Sequence, residues 1–161
     1  MTDPTKASHA GPSDEVDLSE ALVLVVDDHA QNLELLHAYV EAMGCRVATA
    51  PDGVEALRMV DEAQPDLILL DVMMPRMSGF QVCAKLKSDP ATRDIPIVMV
   101  TALNEVGDVE RAVESGADDF LTKPVHRIEL ATRVKSLLRV RLLKKQLEAT
   151  LSEMRRLSGD E

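Results

Sequence analysis

The sequence predicts a doubly wound α/β domain on a five-stranded parallel sheet, and three observations lead there. Short strand-like runs recur at 22–26, 46–50, 67–70, 97–100 and 119–122, with helical patterns between them. The runs at 22–26, 67–70 and 97–100 are continuously apolar, as expected of parallel strands covered by helices on both faces. Asp27-Asp28, Asp71, Thr101 and Lys123 each follow or end one of these runs. That is the sheet edge where open α/β folds build their sites.

The elements follow in order. Residues 1–20 are polar, carry Pro4, Gly11 and Pro12, and read as a disordered acidic tail. Val23-Leu24-Val25-Val26 is the first strand. Asn32, Leu33, Leu35, Leu36, Tyr39, Val40 and Met43 form a helical stripe that Gly44 stops. Asp52-Gly53-Val54-Glu55 and Ser78-Gly79-Phe80-Gln81 read as capping boxes opening two further helices. Asp28 is a candidate cap for the first helix, a role compatible with metal binding. Pro90 and Pro96 bracket the loop before the fourth strand. Gly107 to Glu114 reads as a short helix closed by Ser115-Gly116. From Val125 to Leu157 nothing interrupts a final helix. The domain is expected over 21–138 and a helical extension over 139–161.

Within the extension, Val140, Leu143, Leu147, Thr150, Met154 and Leu157 step by three and four, the spacing of a coiled-coil seam. Residues 126–157 hold nine basic and three acidic side chains, a local +6 on a chain of −10. The expected partner for the seam is a second copy of the chain. The basic helix could also meet an acidic partner or the chain's own acidic tail.

At 161 residues the chain has room for one full core plus extensions. Its acidity argues against a nucleic-acid binder, and Tyr39, Phe80 and Phe120, with no Trp, leave no stacking platform for bases. Cys45 and Cys83 are far apart and read as free thiols of a reducing cytoplasm. No apolar run approaches the roughly 20 residues of a membrane span. Met1 to Lys6 lack a signal-peptide core. A cytoplasmic protein is expected.

Three carboxylates at one edge repel each other unless a divalent cation joins them, and an amine with a hydroxyl suits an anion. The pattern points to Mg²⁺-assisted phosphoryl transfer to a carboxylate, with Asp71 as the nucleophile. Asp27 and Asp28 are adjacent, so their side chains diverge. One would hold Mg²⁺ directly and the other through water. Thr101 would donate its hydroxyl to a phosphoryl oxygen, with the small Ala102 leaving access. Lys123 would neutralise another such oxygen, and its bond to Pro124 is a candidate cis peptide. Met73, Met74 and Met77 lie beside hard carboxylates, which argues against a soft-metal site. His29, beside the acidic pair, reads as a solvated helix-start residue rather than a ligand.

Val25-Val26-Asp27-Asp28, Leu69 to Gly79, Val100-Thr101-Ala102 and Phe120 to Pro124 together resemble the receiver domain of two-component response regulators, over about 22–136. The resemblance implies a flavodoxin-like fold and phosphoryl transfer to Asp71 from a sensor histidine kinase or a phosphotransfer protein. It implies Mg²⁺ among Asp27, Asp28, Asp71 and the backbone carbonyl of Met73. It makes Thr101 and Phe120 the switch pair that alters the face of the fourth helix, fifth strand and fifth helix. Phe120, lacking a hydroxyl, can rotate but cannot add a hydrogen bond. It also places Met73 and Leu103 at the positions that tune hydrolysis of the acyl phosphate; both are apolar, so a long-lived phosphoryl group is expected.

The signal would leave through a homodimer or a downstream effector protein, with no direct contact to nucleic acid. A second arrangement is the receiver segment of a longer regulator whose effector is, for example, a nucleotide cyclase or a phosphatase. Nothing in the sequence would itself catalyse such a reaction. An aspartyl-phosphate phosphatase resembling haloacid dehalogenase-type enzymes would need a second acid where Met73 stands.

Overall fold

The computed structural model describes residues 17–102 and 106–159. Most of the expected acidic tail, residues 1–16, and Leu103 lie outside them. The chain alternates β1 (Leu22–Val26), α1 (Ala30–Ala42), β2 (Arg46–Ala50), α2 (Gly53–Ala63), β3 (Leu67–Asp71), α3 (Gly79–Ser88), β4 (Ile97–Thr101), α4 (Val106–Glu114), β5 (Asp119–Thr122) and α5 (Arg127–Leu157). The five strands are parallel in the order β2-β1-β3-β4-β5.

The side-chain period of two divides every central strand between two cores. Leu24, Val26, Ile68, Leu70, Ile97 and Met99 face one side, where α2, α3 and α4 cover them with Val60, Val82 and Ala112. Val23, Val25, Leu67, Leu69, Val98 and Val100 face the other, under Leu36 and Val40 of α1 and Leu130, Val134 and Leu138 of α5. Each face is aliphatic, which is why β1, β3 and β4 read as unbroken apolar runs.

Chain order reverses direction between β1 and β3, so the crevice at the carboxyl ends of those two strands is the switch point of the sheet. Asp27 follows β1 and Asp71 ends β3. The β3–α3 turn is held tightly: Gly79 donates its N–H to the Val72 carbonyl at 2.9 Å. Ser78 and Gln81 close a reciprocal capping box on the start of α3.

Several local expectations change. Asp52 does cap α2, accepting the Glu55 N–H at 2.8 Å, but the box is only half made. Glu55 instead takes the Arg58 guanidinium at 2.6 Å. The N-cap of α1 is His29 rather than Asp28, and its side chain makes no capping bond. α5 begins at Arg127, with His126 as N-cap, two residues later than Val125. It then continues for 31 residues without a break.

The helix does not leave the domain cleanly at residue 139. Leu142 still packs on the lower core. Lys145 reaches the buried Asp66 at 2.5 Å. Asp66 also accepts the Leu22 N–H at 2.9 Å, so one carboxylate ties α5 to the amino ends of β1 and β3. Leu143 just before this tether, and Leu147, Leu151, Met154 and Leu157 beyond it, are exposed.

A Cβ on Gly79 would overlap the backbone carbonyl of Asp71. Alanine is intrinsically better than glycine in a helix by about 1 kcal/mol. Gly79→Ala should nevertheless lower stability in urea denaturation, because the β3–α3 turn must open to admit the methyl. A stabilised variant would show that this turn yields freely.

Candidate functional site

Every polar residue assigned to the site from sequence falls at the carboxyl edge of the sheet, while Leu103 lies outside the described residues. Asp27 is fully buried and Asp71 nearly so, with 3% of its surface exposed. Asp28, the next residue along, stands at the surface. One ligand atom from each of Asp27, Asp28, His29 and Asp71 lies within 4.8 Å of the others.

Lys123 reaches across this group from the end of β5. Its ammonium contacts Asp27 at 3.0 Å and Asp71 at 3.4 Å. Its backbone N–H donates to the Thr101 carbonyl at 2.8 Å, and the Lys123–Pro124 bond is cis. Thr101 is buried at the end of β4. It lines a cavity of about 10 Å³ with Val72, Phe80, Met99, Asp108, Val109, Ala112 and Phe120. Phe120 is only partly buried. Above that cavity the Arg111 guanidinium of α4 sits 4.4 Å from the ring centre of Phe80. The Met73 side chain is 61% exposed, so it points away from the acids and only its backbone is close to them.

The electrostatics are those of an overcrowded acidic pocket. Burial raises the Asp71 carboxyl above its ordinary range, and the charge of Asp27 raises it further. Lys123 and the Met73 N–H pull it partly back. Burial works against the Lys123 ammonium, but its hydrogen bond to Asp27 and the charges of Asp71 and Asp27 outweigh that, leaving its pKa raised. One lysine against three carboxylates, two of them buried, leaves net negative charge in the site. That set of hard oxygen donors fits a divalent cation. Asp27, Asp28, His29 and Asp71 each offer a ligand atom close enough to the others to hold one.

A sheet of this order, with buried acids and a reaching lysine at its switch point, defines a signal-receiving phosphoacceptor module. The chain belongs to the response regulator receiver domain family, whose model matches residues 23–135. It is 50% identical over 137 residues to the response regulator PleD of Caulobacter vibrioides, an alignment covering 85% of this chain and 30% of PleD. The chain thus spans less than a third of that relative's length. The signal receiver domain of a signal transduction histidine kinase from Syntrophus aciditrophicus matches with a TM-score of 0.70 at 41% identity, covering 73% of this chain and 89% of that one. The receiver domain of the sensor histidine kinase PA1611 from Pseudomonas aeruginosa PAO1, solved with a magnesium ion coordinated in its active-site cleft, matches with a TM-score of 0.69 at 28% identity, covering 74% of this chain and 97% of that one. Among the described residues no helix is long and apolar enough to cross a membrane.

Two features escaped the sequence reading. The Asp66–Lys145 tether joins residues 79 apart and has no local signature. The cation–π pairing of Arg111 with Phe80 likewise depends on how α4 lies over α3.

The raised carboxyl of Asp71 fixes a sign. The folded chain holds the Asp71 proton more tightly than the unfolded chain does. Stability is therefore lost as pH rises from the ordinary carboxylate range through the raised value, and at neutral pH the ionised Asp71 costs stability. Asp71→Asn should raise the melting temperature at pH 7 in metal-free buffer. The gain should shrink on adding Mg²⁺ and close at a pH below the carboxylate range. Equal melting temperatures at pH 7 would mean that Lys123 fully compensates the buried charge.

Proposed function

We propose that this chain is a phosphorylation-controlled switch whose acceptor is Asp71. The observation that carries the reading is the buried Asp71 carboxylate, paired with Lys123 beside Asp27 and Asp28 at the sheet's switch point. The donor is a phosphohistidine on a sensor kinase or a phosphotransfer protein. An Asp71 oxygen attacks phosphorus, the phosphorus–nitrogen bond breaks, and the donor imidazole leaves with the bonding pair. The product is an acyl phosphate. A Mg²⁺ ion held among Asp27, Asp28, Asp71 and the Met73 carbonyl would neutralise charge on the transferring group.

The protein's own side chains do the rest. Lys123, already over Asp71, turns its ammonium to a phosphoryl oxygen as the carboxylate loses its negative charge on forming the acyl phosphate. The Thr101 hydroxyl donates to a second phosphoryl oxygen. Movement of Thr101 changes the wall of the small cavity it shares with Phe120, so the aromatic can turn inward and reshape the face of α4, β5 and α5. Met73 and Leu103 offer no hydrogen bond to an attacking water, so the phosphoryl group is long-lived.

The output is assembly. α5 carries Val140, Leu143, Leu147, Met154 and Leu157 exposed along one seam, together with Leu151 beside the weaker Thr150. The occupant that fits is the same seam of a second copy, giving a parallel homodimer continuous with the switch face. A second arrangement is supported by length. Because the chain spans 30% of PleD, it fits equally the receiver segment of a longer regulator, with α5 as the connector to an effector.

Asp71→Asn should abolish stoichiometric labelling from a small acyl phosphate donor, and continued labelling would move the acceptor elsewhere. Light scattering with Mg²⁺ should show the mass doubling on adding beryllofluoride only where Asp71 is intact. A mass constant in every state would send the signal through a partner protein instead. Met73→Asn should speed loss of the phosphoryl group several-fold in a decay assay, and an unchanged lifetime would remove Met73 from any role in hydrolysis.

A further inference from the structure

His29 makes no capping bond at the start of α1, although it occupies the cap position. Its imidazole instead faces the acids. Nδ1 lies 3.0 Å from Oδ1 of Asp28 and 3.4 Å from Oδ1 of Asp27. Ligand atoms about 2.1 Å from a metal stand about 3.0 Å apart at octahedral angles and about 3.4 Å apart at tetrahedral ones. The imidazole nitrogen therefore already stands at the spacing of a coordination edge with two carboxylates. Its side chain is 67% exposed, so small rotations are unhindered.

We propose that His29 is a nitrogen ligand of the acidic pocket, and that it shifts the pocket's preference from Mg²⁺ toward Zn²⁺. The inference rests on reading this pocket as a divalent-cation site. Magnesium takes oxygen ligands and sheds water reluctantly, so an imidazole adds little to its binding. Zinc accepts imidazole readily, whereas Mn²⁺, like Mg²⁺, favours oxygen donors. The three carboxylates alone would serve Mg²⁺; an imidazole at this spacing serves the softer ions. His29 remains a solvated helix-start residue, as read from the sequence, with its imidazole also within reach of the donor set.

The test is calorimetric titration of the full chain with Mg²⁺, Mn²⁺ and Zn²⁺, on the native protein, His29→Ala and Asp28→Ala, with pulsed electron paramagnetic resonance of the Mn²⁺ complex. In the native protein Zn²⁺ should bind more tightly than Mg²⁺, and the Mn²⁺ spectrum should carry nitrogen coupling. His29→Ala should remove that coupling and lower the ratio of Zn²⁺ to Mg²⁺ affinity by at least about tenfold, the low end of the cost of losing even an outer partner. An unchanged ratio with no nitrogen coupling would overturn the proposal while leaving the Mg²⁺ site intact. Tight Zn²⁺ binding that survives Asp28→Ala would also overturn it, by placing the ion elsewhere. If no cation, Mg²⁺ included, bound in a way that depends on Asp28, the reading of the pocket itself would fail.

Discussion

Everything at the working end of this molecule depends on carboxylates held where water cannot screen them. Asp27 and Asp71 are buried at the ends of adjacent strands, and the apolar runs that carry them leave no freedom to move apart. Val26 and Leu70 are register partners, so the acids that follow them must share the crevice. Lys123 relieves the repulsion between two of the acids without neutralising the group. The pocket is thus poised to bind positive charge, and an incoming phosphoryl group with its cation finds partners already in place. The reactive geometry comes from the sheet register and not from a flexible loop.

The same register explains why so much of the fold was legible. Where burial is two-sided, a strand must be apolar at every position. β1, β3 and β4 could be read directly, and their carboxyl ends located the acids and Thr101. β2 and β5, at the sheet edges, carry polar residues such as Arg46, Thr49, Asp119 and Thr122, and their placement relied on the alternation around them. What could not be read were contacts set by packing angle. Glu55 looked committed to a capping box, yet Arg58 one turn on captured it. His29 is the solvent-facing helix start the sequence suggested, with its ring also near Asp27 and Asp28. The Glu55–Arg58 pair has an i,i+3 signal in residue spacing, but spacing alone does not say which of two polar partners the local backbone brings closer.

α5 links the two ends of the sheet, and this constrains how any signal could travel. Its first turns lie under Leu121 and Val100 in the lower core through Leu130, Val134 and Leu138. Arg133 pairs with Asp119 of β5 at 2.8 Å. Farther along, Lys145 is tied to Asp66 at the opposite end of the strands. A change at Phe120 therefore meets a helix fastened along much of the domain's length, and it should act on α5 as on a rigid rod rather than by local fraying. Small rotations at the switch face would appear at the exposed seam as a change in the angle at which Leu147, Met154 and Leu157 are presented.

The tether also divides the costs of assembly. A free helix of this length would lose much conformational freedom on pairing with another copy. Here the segment up to Lys145 is ordered by the domain's own core and by Asp66, so only the last three turns are ordered by pairing. Apolar seams this short give modest affinity, which suits a switch: an assembly held mainly by its seam would be permanent, whereas one near balance can follow the charge state of Asp71. The weak fourth position, Thr150 with Leu151 beside it, would then work in the same direction as the proposed long-lived acyl phosphate. A marginal seam would need a persistent covalent signal to keep it closed.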